Sequence, residues 1–414
     1  MKFYGWVEEV RNIGNLKFIK LHTVDEDLQV IIKKKEVSKG LFDLVDNITR
    51  QSAIVIDGEM KTNKEAPGGK EIVPKNIEVL GMSEAVLPLD PSGKTPAEME
   101  TRLDWRFLDF RSRKTVAIFK IQNWILRAFR EYFTNNGFLE MQPPCIIASA
   151  SEGGAELFKI PYFEKEAYLA QSPQLYKQMG AISFGKVFCI VPVFRAEKFN
   201  KPTHINEIRQ MDAEIGFVES EEDAMKALEE CFVYVLEQVK KNCKKELEIL
   251  DRKLEVPKLP LRRITYTETI ELLRKEKENI EYGQDFSKSQ EQKLGELIGK
   301  PFFIKEWPTE IKAFYAMPNP DDPQICRAFD LIYEGLEISS GTQRIHDPDL
   351  LIKQIKSKDL NPDDFKFYID AFRYGSPTHA GWSIGLERFT AKICGLSNIQ
   401  EATMFPRTRT RLTP

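Results

Sequence analysis

The first 80 residues consist of five short segments in which apolar and polar side chains alternate, which is the pattern of half-buried β-strands. The first segment opens at Phe3, and the other four cover residues 18–22, 28–32, 52–60 and 71–80. Gly14 and Asn15 separate the first two segments and predict a hairpin turn, and residues 35–45 predict a short helix. Five strands with one helix after the third fit a five-stranded barrel of the OB type, although other five-stranded barrels share this pattern.

A second region follows a segment that cannot hold regular structure. Proline and glycine punctuate residues 81–105, which predicts a linker between a barrel at residues 1–80 and a domain at residues 106–414. In that domain, apolar spacing predicts helices at residues 118–132, 224–239 and 385–393. Predicted strands cover residues 138–141, 167–170, 187–194, 210–218, 327–337 and 380–384. Because strands do not alternate with helix-length crossovers, we predict an α+β fold with an antiparallel sheet flanked by helices.

Charge and composition exclude several classes of protein and of site. Sixty lysines and arginines against 63 aspartates and glutamates give a net charge of −3, which excludes a generally basic nucleic-acid-binding surface but not local basic patches. The six cysteines form no C-x-x-C pair and the four histidines show no ligand spacing, so a zinc site is not expected. No apolar stretch is long enough to span a membrane. We therefore expect a soluble, cytoplasmic protein with buried, reduced cysteines.

Two arginines stand at places that suit phosphate binding. Phe194-Arg195-Ala196-Glu197 ends an apolar strand, and a guanidinium held there is always charged and can donate two parallel hydrogen bonds. The alternative is a solvated ion pair between Arg195 and Glu197. In Gly385-Leu386-Glu387-Arg388, the arginine projects from the first turn of a predicted helix, and the glycine lets the backbone approach a ligand.

A carboxylate and a hydroxyl lie three residues apart in Glu337-Ile338-Ser339-Ser340-Gly341. Across a bend of small residues these two groups could share a divalent metal ion, and the alternative is a capped turn. Residues 171–178 are polar where a core segment would be apolar, and the chain contains no G-x-S-x-G motif. An inventory of arginines, acids and amides suits phosphoryl or nucleotidyl transfer, in which catalysis is positioning and charge stabilisation.

In this order, the segments resemble the motifs of class II aminoacyl-tRNA synthetases, specifically the aspartyl-tRNA synthetases of the archaeal and eukaryotic type. Residues 119–144 resemble the first class motif, which forms the dimer interface, and residues 194–214 and 385–388 resemble the second and third. Residues 1–80 resemble the anticodon-binding OB barrel. The resemblance implies a homodimeric aspartate–tRNA ligase that uses ATP and Mg²⁺ to join L-aspartate to tRNA(Asp) through an aspartyl-adenylate.

The resemblance also implies roles for residues at the ATP site. Arg195 would bind the α-phosphate and the α-carboxylate of the substrate as a catalytic residue, and Glu197 would bind the adenine amino group. His204 and Arg388 would contact the β- and γ-phosphates, and Arg388, the second catalytic residue, would also cover the adenine ring. The remaining positions are the Mg²⁺ ligands Glu337 and Ser340 and the ATP-binding residues Gly385, Leu386 and Glu387.

At the amino-acid site, Lys177 and Arg344 look like the two cations that read the side-chain carboxylate of aspartate. Asparaginyl-tRNA synthetases carry an acidic residue where Lys177 stands, so the resemblance favours aspartate, and an asparaginyl-tRNA synthetase is the alternative. Less favoured are a paralogue that makes a small molecule and an inactive RNA-binding protein. The other implied aspartate-binding residues are Ser172, Gln174 and Asp212 at the ammonium group, Ser340, and Glu152 on a flexible loop.

Positions in the barrel match ones that meet the anticodon in this family. Phe18 and Gln29 would stack on and hydrogen-bond an anticodon base, unless Phe18 belongs to the barrel core. Discriminating archaeal enzymes tend to have lysine and relaxed enzymes proline where this chain has Pro67, whereas Glu8 fits neither type at a second such position. We expect both tRNA(Asp) and tRNA(Asn) to be charged, the latter feeding an amidotransferase; an aspartate-only ligase is the alternative.

Two further expectations concern the catalytic domain. The second motif usually has an aromatic residue after its glutamate to stack on adenine, and here Ile208 follows Glu207, so an apolar contact is expected instead. Residues 407–414 match the C-terminal end of the family, and we expect them to lie near the active site.

Overall fold

The computed structural model describes residues 1–148, 157–198, 202 and 204–414. Contacts divide the chain into two compact units, Met1–Asp109 and Phe110–Pro414. Residues 81–105 belong to the first unit by these contacts. The limits given above for the barrel, the linker and the second domain stay a prediction.

The first unit contains a closed five-stranded barrel with the strand order β1-β2-β3-β5-β4. Its elements are β1 (Lys2–Ile13), β2 (Leu16–His22), β3 (Asp27–Lys33), α1 (Lys39–Leu44), β4 (Ala53–Thr62), β5 (Lys70–Gly81), α2 (Met99–Asp104) and α3 (Arg106–Asp109). The predicted hairpin joins β1 to β2 through Gly14, whose φ of 65° favours glycine. Alternate side chains such as Val7, Ile19 and Ile54 form the barrel core, so the predicted five-stranded barrel is confirmed.

The second unit is built around an eight-stranded sheet with the order β12-β13-β14-β15-β16-β11-β10-β6, beside a small sheet ordered β7-β9-β8. The strands are β6 (Leu139–Glu140), β7 (Ile146–Ile147), β8 (Lys159–Tyr162), β9 (Lys165–Leu169), β10 (Lys186–Phe194), β11 (Glu207–Gly216), β12 (Arg262–Thr265), β13 (Phe302–Pro308), β14 (Ile325–Tyr333), β15 (Leu336–Gln343) and β16 (His379–Gly385).

The direction of the strands differs in part from the prediction. Neighbours from β13 to β10 run antiparallel, but the two edge pairs, β12 with β13 and β10 with β6, are parallel, so the large sheet is mixed. At the β6 edge the strand has 2 residues, and β12 has 4. Strands this short show no readable alternation, which is why the sequence did not reveal the parallel edges.

The predicted strand at residues 327–337 is wrong, because the chain reverses inside it. β14 ends at Tyr333, the turn residues Glu334 and Gly335 have φ values of 49° and 68°, and β15 begins at Leu336. Glutamate in a left-handed turn gives no sequence signal of the kind that asparagine gives. The predicted bend at residues 337–341 is therefore a stretch of β15.

Helices pack on the large sheet and complete the core. They are α4 (Arg113–Asn135), α5 (Gln174–Phe184), α6 (Glu221–Asn242), α7 (Lys244–Ile249), α8 (Tyr266–Lys275), α9 (Lys288–Ile298), α10 (Pro348–Ser357), α11 (Lys366–Phe372) and α12 (Leu386–Cys394). α4 and α6 pack against each other, and α6 packs on β15 and β16. Phe129, Phe133, Phe232 and Trp382 lie at the centre of this core. The α+β fold with a helix-flanked sheet is confirmed.

Two other expectations concern the buried, reduced cysteines and the lack of an apolar stretch that could span a membrane. All six cysteines are free thiols, and only Cys145 is partly exposed, as expected for structural cysteines. Among the described helices, we find none with both the length and the apolar character needed to span a lipid bilayer.

Candidate active site

A cavity of about 470 Å³ lies in the second unit and gathers most of the predicted site residues. Its walls come from the segments around β10, β11, β15 and β16 and from the starts of α5 and α12. The predicted residues that line it are Ser172, Gln174, Lys177, Arg195, Glu197, His204, Asp212, Glu337, Ser340, Arg344, Gly385, Glu387 and Arg388. Leu386 is instead buried in the hydrophobic core, and Glu152 lies outside the described residues.

Four buried charged side chains form a cluster, and three of them, Lys177, Asp212 and Arg344, line the cavity. Lys177 Nζ lies 3.2 Å from Asp212 Oδ2 and 3.5 Å from Glu214 Oε2, and it donates a hydrogen bond to the Trp382 carbonyl at 3.0 Å. Arg344 donates two parallel hydrogen bonds to Glu214, from Nε at 2.8 Å and from Nη2 at 3.1 Å. Lys177 and Arg344, the two cations predicted to bind the side-chain carboxylate of aspartate, therefore both contact Glu214.

Glu214 is the residue of this group to which sequence reasoning assigned no role. It follows Asp212 by two positions on β11, so both acids lie on one face of the strand. Two acids spaced two residues apart among the apolar residues Met211, Ala213 and Ile215 are the signal that points to it. A Cβ on Gly381 would lie 2.1 Å from Glu214 Oε2, so glycine is required on β16 for this carboxylate to fit.

The two acids differ in protonation behaviour. Burial disfavours ionisation of Glu214, but Arg344 and Lys177 together hold its pKa below the ordinary value. Burial raises the pKa of Asp212, and the contact with Lys177 offsets only part of this effect. Asp212 Oδ1 has no hydrogen-bond partner among the described residues. This oxygen can accept a hydrogen bond from a ligand, as the role predicted for Asp212 at an ammonium group requires.

Arg195 and Arg388 also line the cavity, and both are half-buried. Among the described residues, neither guanidinium forms an ion pair, so the alternative pair between Arg195 and Glu197 is absent. Glu197 Oε2 instead lies 3.8 Å from His204 Nε2 and has no hydrogen-bond partner in the described part of the chain. Two available guanidinium groups and one available carboxylate oxygen fit a polyphosphate and an amino group.

Glu337 and Ser340 lie on the same side of β15, although they are three residues apart. A β-bulge at Ile338 explains this: Leu331 pairs with Ser339 and Ile332 with Glu337, so one residue of β15 is extra. Burial and the carboxylate of Asp330 raise the pKa of Glu337 to about 7. A carboxylate and a hydroxyl at a site where negative charge is crowded fit a hard divalent cation.

Glu387 lines the cavity, and its carboxylate also contacts the neighbouring strand β11. Both of its oxygens accept the backbone N–H of Arg209, each at 3.1 Å, so it ties the start of α12 to β11. Ile208, on the same strand, lines the cavity, so it is available for the apolar contact to adenine that the sequence predicts. Burial raises the pKa of Glu387 to about 7.

Glu387 should make unfolding depend on pH. Because its folded pKa of about 7 exceeds the ordinary value of 4.5, its stabilising effect is complete below pH 4.5 and is lost as the pH rises to about 7. We expect the free energy of unfolding to fall over this range by on the order of 2–3 kcal/mol more in the wild type than in Glu387→Gln. Urea unfolding between about pH 5 and 8 measures this difference. Glu219→Gln, at an exposed position, is the control, and equal slopes in all three proteins would contradict the assignment.

The C-terminal segment lies beside the second-motif segment. The Arg407 carbonyl accepts a hydrogen bond from the Asn206 N–H at 2.7 Å, and Arg409 donates to the Lys198 carbonyl at 2.8 Å. Lys198 and Asn206 belong to the same segment as Arg195, which lines the cavity. These contacts therefore agree with the prediction that residues 407–414 lie near the active site.

In the first unit, a cavity of about 250 Å³ is lined by Phe18, Gln29 and Pro67, the predicted anticodon-binding residues. Phe18 alternates with buried neighbours on β2 and is half-buried outside the barrel core, which disfavours the core alternative. Gln29 Nε2 donates to Glu71 at 3.3 Å, and Pro67 is exposed. Glu8 is buried and accepts a hydrogen bond from Lys20 at 2.8 Å.

Comparison with known proteins gives a consistent result. A family model described as tRNA synthetases class II (D, K and N) matches residues 98–409. The aspartate–tRNA(Asp/Asn) ligase of Methanopyrus kandleri is 48% identical over 415 residues, which cover 100% of this chain and 96% of the relative. The aspartate–tRNA(Asp) ligase of Pyrococcus furiosus is 45% identical over 420 residues, with coverage of 100% and 96%. The crystal structure of asparaginyl-tRNA synthetase from Pyrococcus horikoshii with asparaginyl-adenylate superimposes with a TM-score of 0.96 at 34% identity, covering 100% of this chain and 96% of that one.

Proposed function

Because the chain belongs to the class II tRNA synthetases for aspartate, lysine and asparagine, we propose that it is an aspartate–tRNA ligase acting through an aspartyl-adenylate. The observation that carries this proposal is the convergence of Lys177 and Arg344 at one end of the cavity. Their cationic groups suit a substrate with a second carboxylate. The amide of asparagine carries no negative charge and would form weaker hydrogen bonds with these two cations than a carboxylate does.

The first reaction step would use residues that line the cavity. An oxygen of the aspartate α-carboxylate attacks the α-phosphorus of ATP, the bond to the bridging oxygen breaks, and pyrophosphate leaves. Arg195 would stabilise the charge on the α-phosphate, and Arg388 and His204 would bind the β- and γ-phosphates. Asp212, Ser172 and Gln174 would hold the ammonium group, which orients the attacking carboxylate. The terminal adenosine of the tRNA then accepts the aspartyl group and AMP leaves.

Glu337 and Ser340 would hold Mg²⁺ at the phosphate end of the cavity. When bound, this ion would neutralise charge on the phosphates during nucleotidyl transfer. The oxygen donors, their shared side of β15 and the crowding of Glu337 with Asp330 support this assignment.

We also propose relaxed tRNA specificity, homodimer formation and a cytoplasmic location. Pro67 at the discriminating position and the tRNA(Asp/Asn) specificity named for the Methanopyrus kandleri relative support charging of tRNA(Asn) as well as tRNA(Asp). Aspartyl-tRNA(Asn) would then need a tRNA-dependent amidotransferase to complete it. Residues 119–144, which include most of α4 and all of β6, resemble the motif that forms dimers in this class.

The specificity proposal is tested by charging two tRNA transcripts that carry the aspartate and asparagine anticodons. We expect the wild type to charge both with rates within about tenfold, and Pro67→Lys to lower charging of the asparagine transcript by roughly tenfold because the new cation alters anticodon contacts. Glu65→Lys, which adds positive charge at an exposed position in the same turn, is the matched control. A wild type that rejects the asparagine transcript removes the relaxed-specificity proposal, and pyrophosphate exchange driven by asparagine instead of aspartate removes the aspartate assignment.

A further inference from the structure

Glu291, on α9, contacts the strand that carries the proposed metal ligands. Its Oε2 accepts a hydrogen bond from the backbone N–H of Glu337 at 2.9 Å. The two residues are far apart in sequence, and Glu337 is the second residue of β15, directly before the bulge at Ile338. An N–H held at this point restrains the backbone from which the Glu337 side chain projects.

The helix that carries Glu291 is itself fixed against the turn before β15. A Cβ on Gly295 would lie 2.5 Å from the Gly335 Cα, and a Cβ on Gly335 would lie 2.8 Å from the Gln292 Cα. The backbones of α9 and of this turn therefore touch with no side chain between them. α9 has little freedom to move relative to the start of β15, so the Glu291 carboxylate is held at a defined position.

We propose that Glu291 is a positioning residue that holds Glu337 in the orientation needed to bind the divalent cation of the ATP complex. This inference rests on the proposed function, because it concerns the metal site assigned to Glu337 and Ser340. Glu291 is half-buried on the side of α9 facing β15 and is not among the residues that line the cavity, so it acts through Glu337. Residues that orient a metal ligand in this way commonly change metal affinity about 10- to 100-fold when replaced.

The charge of Glu291 is the competing explanation, because Arg388 and Asp330 are near enough to influence its ionisation. Two substitutions separate the hydrogen bond from the charge. Glu291→Gln removes the charge and keeps an acceptor oxygen, and Glu291→Met keeps the side-chain length and removes both. Glu291→Ala is a second variant without an acceptor if the methionine disturbs folding. Glu296→Ala removes an exposed acid from the same helix and is the matched control.

The experiment measures Mn²⁺ binding to each full-length variant by electron paramagnetic resonance with a non-hydrolysable ATP analogue, together with the Mg²⁺ dependence of pyrophosphate exchange. We expect Glu291→Met to weaken Mn²⁺ binding by at least about tenfold, Glu291→Gln to stay within about threefold of wild type, and the KM for aspartate to be unchanged in both. Wild-type Mn²⁺ affinity in Glu291→Met overturns the inference. Equal weakening in Glu291→Gln and Glu291→Met also overturns it, because charge would then be the cause. A wild type without aspartate-dependent exchange refutes the proposed function instead, which is a separate result.

Discussion

Replacing Arg195 with alanine should lower the kcat of aspartate-dependent exchange of pyrophosphate into ATP by about 10³-fold. The reason is that its guanidinium is half-buried in the cavity and forms no ion pair with another described residue, so it is available to the α-phosphate. The charge on that phosphate rearranges in the transition state, where a fixed cation contributes most. Initial rates at saturating aspartate and ATP measure the loss in kcat.

Two other variants make the Arg195 result interpretable. Arg195→Lys keeps the positive charge but cannot donate two parallel hydrogen bonds, so it should recover only a small part of the lost rate. Arg373→Ala removes a guanidinium from a partly exposed position outside the cavity and should behave as wild type. A loss of tenfold or less in Arg195→Ala would mean that another group stabilises the α-phosphate.

The second large effect is expected at Lys177. In Lys177→Met, Asp212 and Glu214 stay buried but retain only Arg344 as a cationic partner. We expect kcat/KM for aspartate to fall by about 10³-fold or more, because the variant loses a cation from the carboxylate site and leaves a buried acid poorly compensated. Pyrophosphate exchange at varied aspartate concentration gives this value.

A direct measurement of ATP binding separates loss of specificity from loss of fold in Lys177→Met. Calorimetric titration with an ATP analogue should give an affinity within about threefold of wild type, because Lys177 is not among the residues proposed to bind the phosphates. Lys366→Met, at an exposed position on α11, is the matched control. An unchanged KM for aspartate in Lys177→Met would show that the amino-acid side chain lies elsewhere.

The predictable parts of this fold are those in which a short stretch of sequence determines the structure. Alternation identified β1 to β5, and the apolar face of α4 was visible together with its end, where Gly137 has a φ of 76°. The strand at β6 was predicted, but its parallel direction and the hairpin at Glu334 were missed, since a two-residue strand has no pattern that indicates its direction and the hairpin uses an uncommon turn residue. In both cases, distant parts of the chain determine the local structure.

The candidate site also contains residues that the sequence could predict and residues that it could not. Motif resemblance located residues such as Arg195 and Arg344 that line one cavity. It gave no role to Glu214, whose importance comes from two cations contributed by other segments, or to Gly381, which is needed only because Glu214 is beside it. It also could not show that a bulge brings Glu337 and Ser340 to one side of β15, because a bulge is a property of strand pairing and not of composition.

The position of β16 in the sheet has a consequence for biosynthesis. β16 lies between β15 and β11, so it joins the β14–β15 hairpin to the β10–β11 hairpin, and both hairpins contribute residues that line the cavity. A nascent chain therefore lacks the link between these two hairpins until residues 379–385 have left the ribosome. Pairings between strands so far apart in sequence are slow to form. The enzyme should thus gain substrate affinity only after β16 has been synthesised, and earlier intermediates should expose unpaired strand edges that chaperones can bind.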